Sequence, residues 1–146
     1  MGKIVAVSMS RAKGMRKENV EQVELKEEHG IVGDAHAGKW HRQVSLLAQE
    51  SINKMVKKGL DVTAGDFAEN ITTVGIDLLA LKVGERLKAG PDVILEISQI
   101  GKECHDRCAI YEQAGDCVMP KEGVFARVKV GGVLEPGYGI EVILDV

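Results

Sequence analysis

Residues 85–98 read Glu85-Arg86-Leu87-Lys88-Ala89-Gly90-Pro91-Asp92-Val93-Ile94-Leu95-Glu96-Ile97-Ser98. Apolar side chains recur with β-like spacing in 85–88 and crowd together in 93–98, and Pro91 marks a turn between the two runs. The same texture extends in both directions. Residues 3–10 alternate and are rich in Ile and Val, and 20–26 alternate Val, Val and Leu with polar partners, so both read as strands. Residues 30–38, with Gly30, Gly33 and Gly38, read as a loop, 43–47 as a short buried strand, 66–73 and 76–81 as β-like, and 125–130 and 140–144 as further strands. Pro136 with Gly137 marks another turn.

One stretch breaks the pattern. Across 48–58, Ile52, Met55, Val56 and then Leu60 recur at helical spacing, and Gly59 stands where a helix C-terminus calls for glycine. Seventeen glycines and only three prolines suit many short elements joined by tight turns. Short strands in close succession, with one or two helices, point to a barrel or a sandwich. There is no internal repeat, low-complexity tract or linker, and 146 residues fit a single domain with one core.

Composition narrows the function. A hydrophobic fraction of 45% and a charged fraction of 28% belong to an ordinary globular protein rather than a disordered one. Aromatic residues make up only 3%, so base-stacking surfaces are scarce. With a net charge of −3 and no long basic run, the electrostatic footprint of a nucleic-acid binder is missing. No run approaches the roughly 20 apolar residues that span a bilayer, so no membrane association is expected. The apolar run near the N-terminus is too short for a signal-peptide core and reads as the first strand. Three cysteines clustered between positions 104 and 117 do not resemble a secreted disulfide framework and suit a reducing cytoplasm.

The densest chemistry lies in Lys102-Glu103-Cys104-His105-Asp106-Arg107-Cys108, with Cys117 beyond. This cluster follows the strand at 93–98 and precedes a helical turn expected at 106–113. A cysteine there sits at the positive end of the turn, beside Lys102, His105 and Arg107, and those charges favour its thiolate. If the turn is helical, Cys104 and Cys108 share a face. Free cysteines often serve as small core hydrophobes, but the charged neighbours of Cys104 argue for a functional thiol. Cys104, His105, Cys108 and Cys117 could alternatively hold a structural zinc in a small regulatory or interaction module, although their spacing is not that of the usual zinc knuckle.

Three other clusters carry candidates. Gly33-Asp34-Ala35-His36-Ala37-Gly38-Lys39-Trp40-His41-Arg42-Gln43 is a loop whose glycines admit close backbone approach and whose cations could grip an anion. Its plainer reading is a solvated turn in which Asp34 bonds its own backbone. Asp66, Glu69 and Asn70 could read the polar edge of a heterocycle, or act as turn and capping residues. Arg127 interrupts the apolar run 123–128, where it would either extend to solvent or point into a barrel mouth.

Taken in order, GDAHAG with HRQVSLL, GDFAENITTVGIDL, LKVGERLKAG, VILEISQIGKECH and GVFARV followed by GG resemble the MOSC domain, the family named for the C-terminal domain of molybdenum-cofactor sulfurases. The resemblance runs from about Gly33 to Gly132. It implies a mainly β fold, a closed or partly open barrel with one to three short helices, filling residues 1–146 as a stand-alone member. It also implies a site for the molybdenum–pterin cofactor with one essential cysteine, which falls on Cys104 as metal ligand or persulfide carrier.

The family's role is sulfur carriage or cofactor handling, and some relatives reduce N-hydroxylated compounds, so enzyme and carrier both remain open. Cys108 departs from the commonest pattern, as it does in relatives with a reductive role, and stands as a second catalytic candidate. His36, Lys39, Arg42 and Arg127 would meet the cofactor's phosphate, Asp34 and Gln43 belong to the same loop, and Glu69 and Asn70 would meet the pterin edge. Expected partners are the cofactor itself and the proteins that make or accept it.

Overall fold

The computed structural model describes residues 2–10, 18–34, 37–39, 43–57, 59, 63–65, 69–100 and 123–143. The chain opens with β1 (Gly2–Met9), then β2 (Glu18–Val20), β3 (Val23–Lys26), β4 (Gly30–Ile31) and β5 (Val44–Ala48). Helix α1 (Gln49–Lys57) follows, then β6 (Ile71–Val74) and a 3₁₀ turn (Leu78–Ala80). The remaining strands are β7 (Arg86–Ala89), β8 (Val93–Ile100), β9 (Val124–Val130), β10 (Gly132–Leu134) and β11 (Gly139–Ile143).

Seven of these strands close on themselves in the order β11, β7, β8, β9, β5, β6, β1. Closure is made by β1. Its Lys3 pairs with Val74 of β6 on one edge and with Gly139 of β11 on the other. Farther along, Val7 pairs with Ile71 of β6 and with Val20 of β2, so β2 continues the edge that β11 leaves. The fold is therefore mainly β, a closed barrel with one α-helix among the described residues. Closure removes the open sheet edges that would otherwise invite aggregation.

All neighbours in the ring are antiparallel except β5 and β6, which run parallel. A parallel pair needs a crossover, and α1 begins it. The helix packs against β5 and β6, burying Ser51, Ile52 and Met55. Val56, expected on its buried face, is 48% exposed, while Ile52 and Met55 are wholly buried. Gly59, at φ +94°, donates its N–H to Val56 O and ends the helix as the sequence indicates.

Inside the ring, alternate residues of each strand form one core: Ile4 and Val7, Val44 and Leu46, Ile71, Leu87 and Ala89, Leu95 and Ile97, Val124, Ala126 and Val128, and Ile140. Burial of each large aliphatic side chain contributes about 1.5–3 kcal/mol, and with so few aromatic residues these aliphatics carry the core. A second sheet, in the order β10, β3, β4, adds Val23, Leu25, Ile31 and Leu134 to the same core and packs on the barrel beside β8 and β9.

Several expected elements take different forms. The single strand expected over 20–26 is two strands, broken at Glu21 and Gln22 where the chain passes from the barrel to the small sheet. The loop expected over 30–38 begins with the two-residue strand β4, paired with Leu25 and Lys26. Residues 76–81 are not a strand. Asp77 accepts a hydrogen bond from Leu79 N at 3.2 Å and starts a 3₁₀ turn, a local side-chain cap that apolar spacing does not register. The turn expected at 106–113 lies outside the described residues.

Candidate functional site

The barrel ladder sets where the sequence clusters meet. Strand β8 ends at Ile100 and β9 begins at Val124, and these two residues are partners in the ladder. Both ends of the intervening sequence, which carries Cys104, His105, Cys108 and Cys117, are thus anchored at one rung. The cysteines themselves lie outside the described residues, as do His36 and Arg42. Three residues along β9 from that rung stands Arg127, roughly 10 Å away at a strand's rise per residue. Ala126 and Val128 face the core on either side of it, so Arg127 points to the outside of the barrel, where it is exposed opposite Glu96.

The glycine-rich loop is tied down at several points. Asp34 is buried, and its Oδ1 accepts from Ser10 N at 3.0 Å just beyond the end of β1. That partner is 24 residues away, so Asp34 is more than a residue bonding its own turn. Gly38 N donates to His29 O at 2.6 Å, and Lys39 is exposed at the loop's surface. Gln43, almost fully buried, accepts from Val128 N through its side-chain oxygen at 2.9 Å.

Glu69 and Asn70 are wholly buried. The Glu69 carboxylate accepts from Gly65 N at 3.0 Å and from the Thr72 hydroxyl at 3.2 Å. Asn70 Oδ1 accepts from Ser45 N at 3.0 Å, and its Nδ2 donates to Ser8 O at 3.1 Å. These bonds join the start of β5, the start of β6 and the end of β1. Among the described residues, the amide and carboxylate of this pair therefore serve the scaffold directly.

One participant was not apparent from sequence. Glu28, at the tip of the β3–β4 hairpin, has φ +53°, the left-handed backbone usually left to glycine or asparagine. Its carboxylate meets Lys129 Nζ at 2.9 Å, and its N–H donates to Val128 O at 2.9 Å. The hydrogen bond from Lys129 holds the Glu28 carboxyl below the usual glutamate range, with a side-chain bond from Gln43 and the charge of Arg127 adding to it against the opposing effect of burial. The two residues are 101 positions apart, and only the cluster KEEHG, two acids before a glycine, hints at a turn there.

Two cations, Arg127 and Lys129, thus stand on one strand beside a hairpin tip, with the cysteine-bearing connection leaving the same ladder. This donor set suits an anion. No three His, Cys, Asp or Glu side chains among the described residues converge as a metal site. An open hollow of about 440 Å³ lies elsewhere, between α1 and the 3₁₀ turn, and is lined by Glu50, Lys54, Asp77 and apolar neighbours.

A family model for the MOSC domain matches residues 33–141, and the chain belongs to that family, which is associated with the handling of the molybdenum cofactor. Solved structures agree in fold. The YuaD protein from Bacillus subtilis is similar at a TM-score of 0.79 and 19% identity, with 97% of this chain and 96% of that one covered. YiiM from Geobacillus stearothermophilus matches at 0.73 and 21%, covering 99% of this chain and 76% of its own. YiiM from Escherichia coli matches at 0.70 and 18%, with 100% and 71% covered. Comparison with curated proteins returns no match. Among the described residues, no helix is long and apolar enough to cross a membrane.

Proposed function

We propose that this chain, as a single cytoplasmic barrel, binds the molybdenum–pterin cofactor or carries sulfur for it, with Cys104 as the thiolate that holds the metal or the sulfur. The reading rests above all on the ladder. The segment bearing Cys104 is anchored at the Ile100–Val124 rung, and the exposed guanidinium of Arg127 lies three residues further along the same strand.

The residues present fit such a group in chemistry. A phosphate-bearing cofactor calls for cations and backbone donors, and Arg127, Lys129 and Lys39 supply cations on the described surface, while the loop sequence adds His36 and Arg42 as further candidates. Molybdenum takes soft sulfur ligands, which suits a thiolate flanked by Lys102, His105 and Arg107. When bound, the cofactor supplies the redox chemistry or the labile sulfur, and the barrel holds and orients it. Gln43, Glu69, Asn70 and Asp34 shape the walls in this reading, because their polar atoms already brace the strands that carry the site. Cys108 is a second thiol able to act on bound substrate or relay sulfur. The partners are proteins that make or accept the cofactor, and reduction of an N-hydroxylated compound is the activity to assay.

The test is elemental analysis with cyanide-labile sulfur on wild type, Cys104→Ser and Cys108→Ser. Molybdenum or labile sulfur in wild type that disappears in Cys104→Ser, with thermal stability unchanged, is the expected result. Full retention by Cys104→Ser overturns the role of that thiol. Stoichiometric zinc, whose removal unfolds the chain, replaces the whole reading with a structural zinc module.

A further inference from the structure

Glu28 breaks a local rule. The His29 N–H closes a tight turn by bonding Lys26 O at 3.1 Å, yet the residue in the left-handed position is a glutamate. Side chains other than Asn, Asp and Gly enter that region at a cost, and such residues persist where their surroundings hold them. Here the surroundings are specific. Among the described residues, β5 pairs with β9 only as far as Val44 and Ala126, and the backbone of Val128 has no strand partner on that side. Gln43 takes its N–H, and Glu28 N–H bonds its carbonyl. A bulge where Leu95 pairs with Val128 and Ile94 with Val130 sets Lys129 out of the regular ladder, where it meets the Glu28 carboxylate. The hairpin tip thereby delivers one carboxylate to the strand that carries Arg127 and Lys129.

We infer that Glu28 is a resident anion: its carboxylate occupies Lys129, two residues along β9 from the exposed Arg127, and the phosphate of an incoming ligand must displace it. The exchange is a regulation of the site under Proposed function and rests on that reading. The geometry suits it, because the Glu28 and Lys129 side chains remain 44% and 29% exposed, open to a competing anion. A phosphate dianion makes more charge-assisted bonds to Lys and Arg than one carboxylate does. Once displaced, Glu28 is free to leave a backbone conformation that suits glycine better. Ligand entry and relaxation of the hairpin tip are then one event.

The test titrates the purified full chain with inorganic phosphate and, separately, with glycerol phosphate, following the backbone amides of 127–130 by NMR. Glu28→Gln removes the charge at nearly constant size, and Glu28→Gly removes the side chain while accepting the turn's backbone. Both should bind phosphate about tenfold more tightly than wild type, the factor expected if the resident carboxylate leaves the cations free about a tenth of the time. Lys129→Ala in the Glu28→Gln background should abolish the gain. A preference for glycerol phosphate assigns the site to the phosphate tail of a larger ligand, and equal affinities assign it to phosphate as such. Either result sustains the exchange. Unchanged or weaker binding by both Glu28 variants, or saturable binding by none of the proteins, overturns it. If Arg127→Ala weakens phosphate binding while the Glu28 variants do not tighten it, the cation site stands and only the resident anion fails. If Arg127→Ala has no effect, the anion-binding part of the proposed function fails.

Discussion

Asn70 and Ser45 are bonded through three atoms. Asn70 Oδ1 accepts from Ser45 N at 3.0 Å and from its hydroxyl at 3.2 Å, while Asn70 N donates to Ser45 O at 3.0 Å. The far end of the same side chain reaches Ser8 O. One fully buried amide thus fastens the parallel β5–β6 step of the barrel to the strand that closes it. Truncating it strands several buried donors and acceptors at about 1–3 kcal/mol each, discounted for partial relaxation. Asn70→Ala should therefore lose about 3 kcal/mol in urea unfolding, and Ser45→Ala, which keeps the backbone bonds, about 1 kcal/mol. Equal and small losses in both would show that the amide is not a keystone.

Gly30 is a second point of tight tolerance. Its φ is +114°, and a Cβ there would lie 2.5 Å from Gln43 O, a backbone atom with no freedom to retreat. Gly84, at φ +97°, faces open space. Gly84→Ala should cost about 1–2 kcal/mol from the backbone alone, and Gly30→Ala distinctly more. Thermal denaturation of the two variants side by side checks the order, and equal losses contradict it.

Thr73 has no work for its hydroxyl. It is fully buried, paired with Ile4 and Ala48 on the core face, and its Oγ1 makes no hydrogen bond. An apolar isostere removes a desolvated polar atom without stranding a partner, so Thr73→Val should be neutral or stabilising by up to about 1 kcal/mol. A clear loss of stability in denaturant unfolding would mean that the hydroxyl is in use.

The Glu28–Lys129 pair should give a pH signature. The Glu28 carboxyl titrates below its usual range in the folded protein, chiefly through the hydrogen bond from Lys129. Its contribution to stability is therefore complete above the unfolded value of about 4.3 and is lost as the pH falls through the lowered folded value. The stability gap between wild type and Lys129→Ala should be present at neutral pH and close in acid. An NMR titration should also show the Glu28 midpoint rising in Lys129→Ala. A gap that does not change with pH would contradict the pairing.

Alternation of apolar and polar residues made most of the barrel legible, because each strand has one face in the core and its neighbours pair locally, as β7 and β8 do around Pro91. The helix at 49–57 was legible from its period and Gly59. What escaped was governed by distant partners. Val20 and Val23 look continuous in sequence but belong to different sheets. Asp77 turns an apolar run into a 3₁₀ turn with a single side-chain bond. At the site, Arg127 could be singled out, but its outward direction depends on register with Glu96. Gln43 binds a backbone group 85 residues away, and Glu28 a lysine 101 residues away. No local pattern encodes such pairs.

The most direct test of the central claim is X-ray absorption at the molybdenum edge, on protein purified from molybdenum-replete cells, wild type beside Cys104→Ser. The account predicts a bound metal in wild type with one fewer sulfur neighbour, or none of the metal retained, in the variant. A metal environment identical in the two proteins would contradict it.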